Sequence, residues 1–288
     1  MRHAFYTLIT PHLTPEEAIA EAVRLGFAGL EWRVAAPAEP IPGPGTYWEG
    51  NRCSLDPARL ATDLPRVVGL AREAGLTSIS ICPYVTPDDT ATLARLFGIA
   101  GQSGVPWVRV SVPVYDRTRP YGEQFTALRR QMDVVEDLAR TAGVRACLLQ
   151  HAGSLLPSAS ATHRLVADLD PAQVGVYLDT GHYVREGYED FGIVMDLLAD
   201  HLAEIHLRNG WLRASGTSDG VGLHPPVPHW GRLAEGQVPL GLLADAIRRR
   251  GWDGWLVLED FSDRPQLQRL TEGIATMRSL AHAARPTT

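Results

Sequence analysis

The sequence has few cysteines and no long apolar run. Its three cysteines, Cys53, Cys82 and Cys147, are far apart and odd in number, which argues against a disulfide framework or a cysteine metal site and fits a reducing compartment. No apolar run approaches the roughly 18 residues of a transmembrane helix, and the first residues lack the apolar region of a signal peptide. We therefore expect a cytoplasmic protein that does not enter a membrane.

Positive charge is also scarce. The chain carries 27 Lys and Arg against 33 Asp and Glu, a net charge of -6, so no bulk attraction favours nucleic acid or an anionic membrane. Low-complexity tracts and short repeats are absent. Glycine and proline, at 27 and 21 residues, are plentiful and supply turns. The 288 residues allow two domains or one large α/β barrel of about 250 residues.

Short apolar strands alternate with amphipathic helices along the whole chain. The first helix is capped by Thr14, has Pro15 at its first position and stops at Gly26, between strands at 3–9 and 29–34. A strand-helix-strand unit of this length predicts a right-handed crossover and a parallel sheet. Eight such strands predict a single (β/α)8 TIM barrel over residues 1–288. The other six predicted strands are 78–84, 107–113, 145–151, 174–178, 203–207 and 255–261.

Two long segments, 35–57 and 209–237, interrupt this rhythm after strands, where barrel enzymes build their sites. The first is rich in proline and glycine and contains Tyr47 and Trp48, which either wall a substrate pocket or pack on the loop itself. The second contains His229 and follows Arg208. These side chains either bind an anionic or polyhydroxylated substrate or belong to a polar lid.

The stretch Gly175-Val-Tyr-Leu-Asp-Thr-Gly-His182 is an apolar strand that carries Asp179 and His182 at its C-terminal end. Carboxylate and imidazole are ligands that a divalent cation accepts. Alternatively, Asp179 caps the next helix and His182 is an ordinary loop residue. In a barrel, these two side chains converge with others at the remaining strand ends, and the joint pattern predicts a metal site. The other candidates are Glu31, Gln150, His151, His206 and Glu259.

Several segments together resemble the xylose-isomerase-like TIM-barrel superfamily of sugar isomerases and epimerases. They are 25–31 (LGFAGLE), 175–182 (GVYLDTGH), 205–207 (IHL), 233–238 (LAEGQV) and 251–259 (GWDGWLVLE). The resemblance implies one divalent ion, Mn, Co, Zn or Mg, held by Asp179, His206 and Glu259. The family's fourth ligand is a fifth-strand glutamate. An ungapped alignment places Leu149 there, and a one-residue shift places Gln150, so the carboxylate is missing.

The resemblance implies an isomerase or epimerase of carbohydrate metabolism that moves the proton α to the carbonyl of a small polyhydroxy substrate, a sugar or keto acid. Glu259 and His182 would be catalytic, and Gln150 or water would complete the metal shell. The missing acid leaves two alternatives open, a lyase or dehydratase on a keto-polyol and a non-catalytic ligand-binding barrel. The residues expected to bind substrate are Glu31, Trp48, His151, Arg208 and His229.

Zinc-dependent apurinic endonucleases of the same superfamily also use a histidine in the loop after the seventh strand. They need further histidines after the third and fourth strands, where this sequence offers Cys82, Pro83, Tyr84, Pro113 and Tyr115. Together with the negative net charge, this argues against a nucleic-acid substrate. The sequence leaves open whether copies assemble into a homo-oligomer.

Overall fold

The computed structural model describes residues 1–36, 46–187 and 189–285. Eight parallel strands among them close into a barrel, and two further strands form an antiparallel hairpin. This arrangement confirms the predicted (β/α)8 fold. The barrel strands are β1 (Arg2–Tyr6), β2 (Gly29–Arg33), β3 (Thr77–Cys82), β4 (Trp107–Val110), β5 (Arg145–Leu149), β6 (Val174–Asp179), β7 (Leu202–Leu207) and β10 (Trp255–Leu258), and the hairpin strands are β8 (Asn209–Arg213) and β9 (Val227–Gly231).

Closure of the barrel comes from β1, which pairs with β2 on one side and β10 on the other. The closed order is β1-β10-β7-β6-β5-β4-β3-β2. Several strands end earlier than the sequence pattern predicts, β4 at Val110, β5 at Leu149 and β10 at Leu258. The apolar residues that follow leave the sheet ladder and wall the mouth of the barrel instead.

Helices cover the outside of the barrel. In the described residues none of them has both the length and the apolar character needed to cross a bilayer. The helices are α1 (Pro15–Leu25), α2 (Leu60–Glu73), α3 (Thr90–Gln102), α4 (Tyr121–Ala142), α5 (Ala159–Val166), α6 (Thr180–Glu186), α7 (Phe191–Leu198), α8 (Leu240–Arg250) and α9 (Gln266–Ala283).

The sequence pattern missed α6, which follows β6 without a loop. Asp179 is its N-cap, and the Asp179 carboxylate accepts a hydrogen bond from the Gly181 amide at 2.7 Å. The alternative that Asp179 caps the next helix is therefore correct. The capping hydrogen bond occupies only one oxygen of the Asp179 carboxylate. The same carboxylate also has a partner in the barrel mouth.

Two apolar layers support the mouth. One lies between strands and helices, and the other fills the inside of the barrel. The inner layer includes Tyr6, Tyr177 and Trp255, all buried. Close packing of large side chains leaves little freedom to move, so groups at the carboxyl ends of the strands stand on a rigid floor.

The two long segments behave differently. The proline-rich part of the first, 37–45, lies outside the described residues, but Tyr47 and Trp48 lie 5.0 and 6.1 Å from the Phe261 ring centroid. They wall the mouth, as the pocket interpretation expects. The second segment is wrongly predicted as a loop throughout, because 209–213 and 227–231 pair as the β8–β9 hairpin.

The start of α1 offers a test of local stability. Thr14 forms a capping box with Glu17, in which the Glu17 amide donates to Thr14 Oγ1 at 3.3 Å and the Thr14 amide donates to Glu17 Oε2 at 2.7 Å. Thr14→Ala should lower the free energy of unfolding by about 1 kcal/mol in urea denaturation. Thr271→Ala, in the exposed body of α9, is the matched control and should change it little. Equal losses in both variants would contradict a capping role.

Candidate active site at the barrel mouth

A cavity of about 440 Å³ opens at the carboxyl ends of the strands. One part of its wall is aromatic and the other is charged or polar, as in sites for small polar ligands. The aromatic residues are Tyr47, Trp48, Tyr84, Trp230 and Phe261, and the charged or polar residues are Arg109, Ser111, His151, Asp179, His182, Arg185, Arg208 and Glu259.

The central contact of the mouth is a buried ion pair between Arg208 and Asp179. Arg208 Nε donates to Asp179 Oδ1 at 3.0 Å, and Nη2 donates to Oδ2 at 2.6 Å. The guanidinium also lies against two neighbouring rings, 4.6 Å from the Trp230 centroid and 5.3 Å from that of Phe261. The two-point fork, with these aromatic contacts, fixes the position of the cation.

All four residues of the Asp-Thr-Gly-His stretch contact Arg208 or leave space for its side chain. The Thr180 hydroxyl donates to the Arg208 carbonyl at 2.6 Å, and a Cβ at Gly181 would overlap the Nε, Cδ and Cγ atoms of Arg208. His182 Nε2 lies 2.8 Å from Arg208 Nη2. The motif on β6 and α6 thus fixes the position of the Arg208 side chain.

His182 and His151 form a ring pair with centroids 4.0 Å apart. Burial, reinforced by the Arg208 charge, holds the pKa of His182 well below its usual value, so the ring is neutral. The Ala152 amide donates to His182 Nδ1 at 3.2 Å, which places the ring proton on Nε2, 3.3 Å from Asp179 Oδ2. His151 stays exposed, but partial desolvation also lowers its pKa. Its Nδ1 lies 2.8 Å from the Ala152 carbonyl and donates to it, which leaves the lone pair on Nε2.

A second group of ionisable side chains lies inside the barrel. His206 Nε2 contacts Glu204 Oε1 at 2.9 Å and Glu31 Oε2 at 3.2 Å, and all three residues are buried. Burial and the Glu31 charge raise the pKa of Glu204 to about 8. Burial alone would lower the pKa of His206, but the surrounding carboxylates raise it well above its usual value.

Glu259 connects this inner group to the cavity. It follows β10, and its Oε2 lies 3.3 Å from His206 Nδ1 while its side chain lines the cavity. In the described residues, Glu259 forms no ion pair with an arginine, whereas both oxygens of Asp179 bind Arg208. Glu259 is therefore the cavity carboxylate that is better placed to accept a proton.

The structure brings some of the predicted site residues together and separates others. Six line the cavity, namely Trp48, His151, Asp179, His182, Arg208 and Glu259. Glu31 and His206 lie in the inner group, with Glu31 fixed by Ser80 and Cys82. His229 is exposed on the hairpin, with its ring 6.0 Å from that of Trp211. A substrate role for Glu31 or His229 therefore has no support from their positions.

The fifth strand settles which residue faces the cavity. Leu149 lines it, whereas Gln150 donates from Nε2 to the Pro157 carbonyl at 3.2 Å and is not part of the cavity wall. Gln150 is therefore not in the cavity wall, and its role as a metal ligand stays a prediction, since its Oε1 is buried without a hydrogen-bond partner among the described residues. The ungapped alignment, with Leu149 at the acid position, agrees with the structure.

Sequence reasoning missed two charged residues of the barrel interior. Arg109 interrupts the apolar strand β4, and Glu204 shares one face of β7 with His206, two residues apart. Both carry a recognisable signal, since a charge within a fully buried strand is unfavourable unless it has a partner or a ligand. The aromatic residues Tyr84, Trp230 and Phe261 were also missed, and nothing in their spacing marks them.

A family model described as xylose isomerase-like TIM barrel matches residues 19–280. The chain belongs to this family. An inosose dehydratase of Lacticaseibacillus casei is 23% identical over 153 residues, which cover 49% of this chain and 48% of that protein. The match thus spans about half the length of this curated relative.

Solved structures show the same fold over the whole chain. An IOLI protein with a bound zinc atom has a TM-score of 0.74 and 13% identity and covers 100% of both chains. A D-psicose 3-epimerase from Clostridium cellulolyticum H10, solved with D-tagatose, has a TM-score of 0.70 and 16% identity, and the match covers 99% of this chain and 100% of that chain. Proteins similar to this chain thus include an inosose dehydratase and a D-psicose 3-epimerase, and the IOLI neighbour has a bound zinc atom.

The predicted metal ligands do not form an open ion site at the mouth. Both Asp179 oxygens already bind Arg208, and a dication beside a guanidinium would be repelled. Glu31, Glu204 and His206 instead have donor atoms within 4.8 Å of one another. Among the described residues, Glu204 Oε2 is buried without a hydrogen-bond partner, and Glu31 Oε2 contacts the His206 ring at 3.2 Å. Two carboxylates and an imidazole make a divalent metal plausible in this inner group.

Gly181→Ala tests the seat of Arg208. The new methyl group would displace a side chain that is clamped by Asp179 and two rings, so the free energy of unfolding should fall by about 1–3 kcal/mol in urea denaturation. Gly69→Ala on α2 is the control, because no heavy atom lies within 4 Å of the added methyl group, and this variant should be as stable as the wild type or slightly more stable. A fully stable Gly181→Ala protein would show that Arg208 is not seated there.

Proposed function

We propose that the protein is a sugar or keto-acid isomerase or epimerase that transfers the proton α to a carbonyl group. The observation that carries this proposal is Glu259, a carboxylate in the wall of a polar cavity with no arginine partner among the described residues. The fold family and its epimerase structures support the same chemistry. A cavity of about 440 Å³ is large enough for one small polyhydroxy substrate.

Glu259 removes the proton in this proposal, and His151 is its counterpart. The Nε2 lone pair of the neutral His151 ring can accept a proton, and both residues line one cavity. Return of the proton by Glu259 gives isomerisation or exchange. Delivery of a different proton to the opposite face, by a His151 ring that enters the cycle protonated on Nε2, gives epimerisation. Leu149 cannot serve as the second acid or base, so His151 takes that role.

Arg208 acts on the substrate in this proposal, and His182 acts on Arg208. Arg208 keeps a fixed positive charge in the cavity wall, where it stabilises the negative charge that develops on the carbonyl oxygen during proton removal. His182 Nε2 lies 2.8 Å from Arg208 Nη2 and 3.3 Å from Asp179 Oδ2, so the ring packs against both members of the ion pair. Its role is therefore to position Arg208, and the catalytic role expected from the sequence passes to His151.

Dehydration of a keto-polyol is the second candidate, because curated relatives are inosose dehydratases. It begins with the same proton removal by Glu259 and differs only in the departure of a β-hydroxyl group as water. The His151 ring, once protonated, would supply the proton to that leaving group. The two reactions share the cavity and differ in the product.

We propose that a divalent ion is held by Glu31, Glu204 and His206. Bound there, it would neutralise the two buried carboxylates and fix the His206 ring beside Glu259. These three residues do not line the cavity, so the proton transfer above is assigned to the residues of the cavity wall.

Solvent-deuterium exchange tests the reaction. Incubation in D2O with a panel of ketoses and keto acids should place deuterium on the carbon next to the carbonyl. Exchange with a new isomer supports isomerisation, and exchange with loss of water supports dehydration. Binding without exchange would favour a non-catalytic ligand-binding barrel.

Glu259→Gln tests the base directly. The variant keeps the shape and removes the basicity, so turnover should fall by at least about 100-fold while the melting temperature changes little. Glu21→Gln, which alters a half-buried acid that is paired with Arg24 and lies outside the cavity wall, is the control and should leave turnover unchanged. A lower melting temperature with intact activity per folded molecule would make Glu259 a structural acid.

The metal assignment is tested by comparing Glu204→Gln with Asp179→Asn. Elemental analysis of protein purified without chelator should show loss of Zn or Mn in Glu204→Gln and retention in Asp179→Asn. Added Zn should raise the melting temperature of the wild type more than that of Glu204→Gln, because an ion bound only to the native state stabilises it. The reverse pattern would restore the mouth set of Asp179, His206 and Glu259.

A further inference from the structure

Arg109 is a buried cation without a matching acid. It lies in β4 between Val108 and Val110, is 5% exposed and lines the cavity. Its Nη2 donates to the Pro83 carbonyl at 3.2 Å, and its Nε has no hydrogen-bond partner. No ion pair joins it to an acid in the described residues. Burial of an unpaired charge is unfavourable, so the buried position of Arg109 needs a structural or functional explanation.

The surroundings of Arg109 hold its guanidinium in place without neutralising it. The group lies 4.5 Å from the Tyr84 ring centroid and 5.8 Å from that of Tyr6. The Tyr84 hydroxyl is in turn held by the Tyr6 hydroxyl at 3.1 Å and by Arg33 Nε at 3.2 Å. Aromatic faces attract a cation but carry no net charge.

The acids nearby already have partners. Glu31, whose charge acts on Arg109 at longer range, faces Ser80, Cys82 and His206. Asp179 is held by the Arg208 fork. Of these two buried arginines in the cavity wall, one therefore has its acid on the chain, and the other, Arg109, has none among the described residues.

The position of Arg109 suits an anchor at one end of a substrate. In the closed strand order, β4 and β10 are four strands apart in either direction and so lie on opposite sides of the barrel. Arg109 belongs to β4, and Glu259 follows β10. A molecule that fills the cavity between them has one end at the guanidinium and the other at the proposed base.

We propose that the substrate is a small polyhydroxy carbonyl compound with one terminal anionic group, a carboxylate or a phosphate, and that Arg109 binds this group. The inference rests on the proposed function, in which this cavity binds the substrate. A planar guanidinium suits both anions, since each accepts two parallel N–H donors. The anion supplies the counter-charge for Arg109 and places the carbonyl end near Glu259 and Arg208.

Equilibrium binding of three matched ketoses, measured by calorimetry, tests the proposal. The probes are D-fructose, D-fructuronate and D-fructose 6-phosphate, which separate a neutral substrate from a carboxylate and a phosphate. The wild type should bind one of the anionic probes about 10- to 100-fold more tightly than D-fructose, the range of a charge-assisted hydrogen bond. Equal affinity for all three would overturn the proposal.

Two variants assign the preference to Arg109. Arg109→Met should lose the preference and bind the three probes about equally, and Arg109→Lys should keep part of the preference. Arg164→Met is the matched control, because it removes the same charge from an exposed arginine 5.0 Å from the Phe125 ring, outside the cavity. An unchanged preference in Arg109→Met would show that Arg109 is a structural cation only.

Inorganic phosphate provides a readout that does not depend on Arg109→Met folding. It should raise the melting temperature of the wild type more than that of Arg109→Lys, and equal shifts would contradict the anchor. Deuterium exchange with the same three probes separates the two hypotheses. Exchange without an anionic preference removes the anchor and keeps the proposed function. An anionic preference lost in Arg109→Met, without exchange, keeps the anchor and removes the enzyme.

Discussion

The ion pair between Arg208 and Asp179 determines the arrangement of the barrel mouth. Both residues are buried, and removal of either partner would leave an uncompensated charge, which costs about 3–5 kcal/mol. Thr180, Gly181 and His182 each contact this arginine or make room for it. The strand-to-helix junction and Trp230 of the hairpin both contact this guanidinium, and its charge adds to the effect of burial in keeping His182 neutral.

The position of Arg208 also changes which carboxylates of the barrel mouth are free of an arginine partner among the described residues. With both Asp179 oxygens bound to Arg208, Glu259 is the cavity carboxylate that has no arginine partner among the described residues, which is why we propose it as the base. A fixed guanidinium polarises a carbonyl oxygen by charge and hydrogen bonding, as a metal ion does by coordination. Leu149 stands where the family has a fifth-strand acid. An acid there would add negative charge to a site in which Asp179 already balances the charge of Arg208.

Many residues at the barrel mouth were predicted from the sequence, and the errors of that prediction have a physical cause. Asp179, His206 and Glu259 were found because they interrupt or end apolar strands. Arg208 was also predicted as a site residue, but its pairing with Asp179 was not, because an ion pair between residues 29 positions apart leaves no local pattern. Gln150 and Leu149 are neighbours in sequence but have opposite surroundings, and a one-residue shift in strand register exchanges them.

Sequence alone determined the barrel, because alternation of short apolar strands with amphipathic helices is a local property that cap residues such as Thr14 and Gly26 reinforce. It also determined which chemical groups stand at the strand ends. Only the tertiary structure decided which of them meet. It paired Arg208 with Asp179, drew Glu31 and Glu204 to His206, and left Arg109 without an acid among the described residues. The reason is that charge pairing depends on distances across a closed barrel, which side-chain packing sets and sequence spacing does not.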